Sequence, residues 1–125
     1  MREILPFIRH PSHFAGIEDG ICLKEADAVS LHLALAFPDL YEVGMSYLGQ
    51  KILYGIVNAN PRWWAERVMA PEKETGEYLQ AHHLPLCTLE SDTPLAKLDL
   101  LGFSITHGRL CYDILGLALE ITRAV

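Results

Sequence analysis

The run Val29-Ser-Leu-His-Leu-Ala-Leu-Ala-Phe37 constrains the fold more than any other segment. It opens with alternation and ends almost continuously apolar, the pattern of a strand buried on both faces at the centre of a parallel sheet. Pro38 has no amide proton to give to a ladder, so the strand stops there. A strand covered on both sides needs helices on both sides, and the sequence downstream alternates accordingly. Residues 45–58 read as a helix with Leu48, Ile52, Leu53, Ile56 and Val57 on one face. Ser46 is its candidate cap and Asn58-Ala-Asn-Pro61 its stop. Residues 67–70 read as a second strand closed by Pro71, and 72–83 as a second helix interrupted by Gly76. A short extra strand is expected over 86–90, a third main strand over 98–105, and a third helix over 110–122.

Strand and helix in this alternation predict an α/β fold, a three-layer Rossmann-like or flavodoxin-like parallel sheet. The flavodoxin-like order calls for five strands, and only three main ones are encoded, so the sheet is incomplete and resembles the front of a longer domain. Residues 1–28 form an irregular N-terminal segment punctuated by Pro6, Pro11, Gly16 and Gly20. A candidate hairpin there joins 14–17 to 21–24, and 29–125 is the Rossmann-like unit. The expected core is Leu33, Leu35, Leu53, Ile56, Val68, Leu101, Phe103 and Ile114. The third strand ends the sheet with an apolar edge, expected to be covered by the N-terminal segment or by a second copy in a homodimer.

Composition removes whole classes of function. Of 125 residues 50% are hydrophobic, enough for a core and too many for disorder. A net charge of −6 argues against nucleic acid as a partner, since phosphate contacts need clustered Lys and Arg. No apolar run reaches the ~20 residues of a membrane helix, and the N-terminus lacks the h-region of a secretory signal. Cys22, Cys87 and Cys111 are odd in number and widely spaced, with no Cys-x-x-Cys, so neither a disulfide framework nor a metal or cluster site is encoded. Reduced thiols place the chain in the cytoplasm as an expectation.

In open α/β sheets ligands sit at the carboxyl ends of strands, at the point where strand order reverses. That directs attention to Asp39, Tyr41, Glu42, Val43, Gly44, Met45 and Ser46 after the first strand, and to Ser104, Thr106 and His107 after the third. Gly44 and Ser46 suit a close backbone approach to a ligand; ordinary tight strand–helix connections would use the same residues. Neither G-x-G-x-x-G nor G-x-x-x-x-G-K-[ST] occurs, which argues against a dinucleotide site and a P-loop. A phosphoacceptor domain would need an acidic pair where Asp39 stands alone and an Asp where Ser104 stands. Asp39-Leu-Tyr-Glu-Val is a poor flavin-phosphate loop.

The loop carries a resemblance. Leu33-Ala-Leu-Ala-Phe-Pro-Asp-Leu-Tyr-Glu-Val-Gly-Met-Ser46, then Leu48-Gly49 and Lys51-Ile-Leu-Tyr54, is similar to the N-terminal domain of cobalamin-binding-domain radical S-adenosylmethionine proteins. Ala65-Glu-Arg-Val68, Ala70-Pro71, Leu84-Pro-Leu86, Leu89-Glu-Ser91, Pro94-Leu95 and Gly102-Phe-Ser104 continue it in order. The resemblance implies a cobalamin-binding module, itself non-catalytic, joined to a C-terminal radical S-adenosylmethionine barrel as its partner. The [4Fe–4S] cluster and S-adenosylmethionine belong to that barrel, whose Cys-x-x-x-Cys-x-x-Cys motif this chain lacks. A cofactor-free domain that docks on the barrel is the alternative it leaves open.

Two departures matter. Cobalamin domains that ligate cobalt with histidine carry D-x-H-x-x-G after the first strand; on that frame Tyr41 stands at the Asp, Val43 at the His and Ser46 at the Gly. Cobalamin bound here would have no axial imidazole from this loop. After Ser104, Thr106-His-Gly-Arg109 replaces the family's Gln-Tyr-Glu-like sequence. His107 is then a contact for a corrin amide or a solvent-exposed histidine at a helix start. Elsewhere, His10 and His13 lack a carboxylate or thiol partner, His82-His83 fits a helix C-terminus, and Trp63 and Trp64 read as anchors of a helix-to-strand corner.

Overall fold

The computed structural model describes residues 21–37 and 48–104, together with Pro6. β1 spans Leu31–Phe37, α1 Leu48–Ala59, β2 Trp63–Met69, α2 Lys73–Ala81 and β3 Leu100–Phe103. The strands form one sheet in the order β2-β1-β3, and both pairings are parallel. This is an open α/β sheet of the kind an incomplete Rossmann-like domain presents. The predicted third helix, Ile114 and the first arm of the N-terminal hairpin lie outside the described residues. The hairpin's second arm does not form: residues 21–24 carry no strand, and Cys22 instead offers its carbonyl to the Trp64 indole and its amide to the Tyr54 hydroxyl.

Alternation along β1 assigns the layers. Ala34 and Ala36 turn to one face, where Val68, Ala70, Leu79, Leu86 and Leu95 close the core and Tyr78, Leu84, Leu98, Leu101 and Phe103 pack around it. Alanines at the centre let α2 approach the sheet closely, and Leu79 is 0% exposed. Leu33, Leu35 and Phe37 turn to the other face, towards α1. Right-handed crossovers from β1 to β2 and from β2 to β3 run in opposite directions, which puts the two helices on opposite faces. α2 ends in a Schellman turn: Leu84 N–H donates to Leu79 O and His83 N–H to Gln80 O, with His83 at φ 51° where glycine is usual.

α1 departs from its sequence reading. Leu48, Ile52, Leu53 and Ile56 face outward, Leu48 and Ile56 at 68% and 63% exposure, so the expected core positions Leu53 and Ile56 are corrected to surface. The opposite stripe of Gln50, Tyr54 and Asn58 faces inward at the same i, i+4, i+8 spacing. Gln50 Nε2 donates to Leu35 O at 3.0 Å, and the Asn58 amide both donates to Ala65 O at 3.0 Å and accepts from Ala65 N–H at 2.8 Å. Hydrogen bonds to strand backbone, rather than apolar burial, orient this helix. Lys24 Nζ reaches the carbonyls of Asn58, Asn60 and Trp63 and neutralises its C-terminal end.

β2 begins four residues before the predicted 67–70, so Trp63 and Trp64 belong to the strand rather than to a corner. Trp64 is buried with its ring stacked on His32, centroids 4.4 Å apart. Glu66 and Arg67 interrupt the apolar pattern but are buried and paired. The expected strand over 86–90 is instead a strap: residues 86–95 fold back through a Cys87–Pro94 bridge and lie along the outer edge of β2.

Candidate functional site

β1 at the centre, with β2 reached first and β3 on its other side, makes the carboxyl edge between β1 and β3 the switch point of the sheet. Ala36 pairs with Phe103, and Ser104 N–H donates to Ala36 O at 3.0 Å, so Phe37 and Ser104 end their strands side by side. Phe37 and Met69, paired at the ends of β1 and β2, and Ala70 after them are buried. Gln50, 2% exposed in the first turn of α1, ties the helix start to β1 two residues before that strand ends.

Of the residues predicted for the site, the structure describes Ser104, half-buried at the carboxyl end of β3. Asp39, Tyr41, Glu42, Val43, Gly44, Met45, Ser46, Thr106 and His107 lie outside the described residues. Gln50 escaped the sequence reading, although the polar i, i+4, i+8 series with Tyr54 and Asn58 was there to signal an inward polar face.

Two buried carboxylates sit apart from this edge. Glu66 accepts from Thr88 Oγ1 at 2.9 Å and from Ser91 N–H at 2.8 Å, and its second oxygen meets His32 Nε2. Glu90 accepts from Arg67 N–H at 2.8 Å and from Arg67 Nε at 2.5 Å. Burial pushes the Glu90 carboxyl up, against the opposing pull of the Arg67 guanidinium. Tyr54 lies over that guanidinium at 5.0 Å, and burial followed by the Glu90 charge drives its phenol upward too. The two acids work reciprocally: Glu66 of β2 holds donors of the strap, and Glu90 of the strap holds donors of β2. Glu66 is fully enclosed, with His32 on one oxygen and Thr88 and Ser91 on the other.

Among the described residues no group of three His, Cys, Asp or Glu side chains is placed to hold a metal. Cys22 and Cys87 are free thiols, and burial pushes Cys87 up to about 11, far from thiolate reactivity at neutral pH. No helix among the described residues is long and apolar enough to cross a membrane. The described residues supply the open carboxyl edge of a parallel sheet on a hydrogen-bonded scaffold.

Comparison with known proteins gives one match, over more than half the chain. Residues 49–122 match the family described as radical SAM proteins, N-terminal. No curated protein and no solved structure matches.

Proposed function

Because the chain belongs to the N-terminal family of radical SAM proteins, we propose that it is the cobalamin-type binding module of a radical S-adenosylmethionine enzyme, non-catalytic by itself. The observation that carries this reading is the order β2-β1-β3 with all strands parallel, which builds a switch point where such ligands sit. The small Ser104 at the carboxyl end of β3 supports this reading, because it leaves room for a ligand beside that edge. Asp39, Tyr41, Glu42, Val43, Gly44, Met45 and Ser46 from the loop after β1, with Thr106 and His107 after Ser104, are the residues assigned to hold it. Cobalamin, if bound, would supply a redox-active cobalt; the loop after β1 would hold it, and Val43 at the histidine position would offer no imidazole nitrogen. The [4Fe–4S] cluster and S-adenosylmethionine belong to the barrel of the same polypeptide.

Titration with hydroxocobalamin, followed in the visible spectrum, tests this. Saturable binding is expected, lost on replacing Gly44 with Val while the circular dichroism spectrum stays the same. Val43→His then shifts the bound spectrum towards the nitrogen-ligated form. Absence of any saturable change removes the cofactor reading.

The outward apolar stripe of Leu48, Ile52 and Ile56 favours a second reading, a cofactor-free domain that docks on the barrel. In that case hydroxocobalamin leaves the spectrum unchanged, whereas charged residues on the stripe weaken association with the barrel.

A further inference from the structure

α1 contains a glycine that no described neighbour requires. Gly55 stands in the middle of the helix, where glycine weakens helix formation relative to alanine. A methyl group built on it meets nothing within 4 Å among the described residues, so no close approach of backbone calls for it. Gly55 lies on the outward face with Leu48, Ile52 and Ala59, which recur at the i, i+4, i+7 and i+11 positions of one stripe, and all four are exposed. Ile56 flanks the stripe on one side; Lys51, the only charged residue of the helix, flanks it on the other. The stripe cannot turn inward, because Gln50 and Asn58 tie the opposite face of α1 to the backbone of β1 and β2.

The order of sizes along the stripe is self-complementary. Its first half is large, with Leu48 and Ile52, and its second half is small, with Gly55 and Ala59. Laid antiparallel on a copy of itself, about a twofold axis between positions 53 and 54, Leu48 falls opposite the partner's Ala59 and Ile52 opposite the partner's Gly55. Each large side chain then enters the space that a small residue leaves, and the helix axes can approach to about 8 Å, the close end of helix packing.

We propose that α1 is a homodimer interface in which two copies of this chain pack their outward stripes antiparallel, centred on Gly55. The proposal does not rest on the cofactor reading, and it gives the stripe an occupant other than the barrel. A partner of unrelated surface would call for apolar area but not for this pairing of large with small positions. A handful of side chains from each copy is well short of the ~20–30 residues a side of a stable interface, so the dimer belongs to the transient class. The two Lys51 side chains, brought to the same flank, weaken it further.

Sedimentation of the 125-residue chain from about 1 μM to 1 mM tests the proposal. A reversible monomer–dimer equilibrium is expected, with a dissociation constant of about 10 μM to 1 mM. Gly55→Ile makes the stripe more apolar and occupies open space on the monomer, yet it should weaken association at least about tenfold by setting two isoleucines against each other. Ile52→Ala alone should weaken it by about the same factor. Combining Gly55→Ile with Ile52→Ala exchanges the large and small positions, and should recover most of the affinity, a coupling shown by residues that face each other. Both positions are exposed on the monomer, so the circular dichroism spectra should match the wild type. A chain that stays monomeric to 1 mM overturns the proposal, as does a dimer that tolerates Gly55→Ile or that the double variant fails to restore. A dimer seen only after deletion of residues 1–20 assigns the stripe to the N-terminal segment and overturns it too.

Discussion

The two helices flank one sheet by opposite physical means. α2 presents Leu79 and Tyr78 to an apolar core and leaves its charged residues to solvent. α1 presents Gln50, Tyr54 and Asn58 to the sheet and turns Leu48, Ile52 and Ile56 outward. Burial is non-directional and proportional to area, so it holds α2 close but fixes its register weakly. Side-chain hydrogen bonds to particular backbone groups fix the register of α1 and free its apolar side for another surface. A helix spent this way contributes less to the stability of the described unit and more to its geometry.

Substitutions can break or sharpen that contrast. Leu79→Ala, in the fully buried seam under α2, should cost about 2–5 kcal/mol in urea denaturation by removing apolar contact and leaving a cavity. Asn58→Leu keeps the volume on α1 but strands both groups of Ala65, and about 2 kcal/mol should be lost despite the gain in hydrophobicity. If that variant is more stable than the wild type, α1 is held by burial after all. Glu90→Gln probes the polar layer under Tyr54 through pH. The folded-state pKa of Glu90 is raised, so its contribution is fully present below the unfolded carboxyl value of about 4.3 and is lost as pH rises through the folded value. Wild-type stability should therefore fall across that window while Glu90→Gln stays flatter, at the loss of a charge-assisted acceptor for Arg67 worth about 2 kcal/mol. Equal slopes in the two proteins would refute the assignment. The smallest effect belongs to Ile56→Ser on the outward stripe, within about 0.5 kcal/mol, because an exposed side chain loses little on truncation.

The central strand and the strand–helix alternation were legible because a strand buried on both faces must be apolar on both, and Pro38 punctuates its end. The direction of α1 was not. Its apolar residues recur at helical spacing whether they face a core or a partner, and periodicity alone cannot say which side the sheet takes. The start of β2 was hidden for a related reason. Glu66 and Arg67 look like surface charges until His32 and Glu90 from distant positions pair with them, and no local pattern records contacts that far apart in sequence. The edge carrying the candidate site followed from topology, because the order of parallel strands fixes where the switch point falls. Gln50 beside it carries a signal only when read together with Tyr54 and Asn58 at i+4 and i+8, a polar series that the stronger apolar stripe of the same helix obscures.

The two ends of β3 test, within one strand, the proposed place of the ligand over the carboxyl edge between β1 and β3. Ser104 stands at that edge; Leu100, 55% exposed, stands at the opposite end. In hydroxocobalamin titrations Ser104→Trp should abolish saturable binding by filling the rim, while Leu100→Trp should bind like the wild type. Wild-type binding by Ser104→Trp, or its loss in Leu100→Trp, would contradict this placement and put the ligand elsewhere.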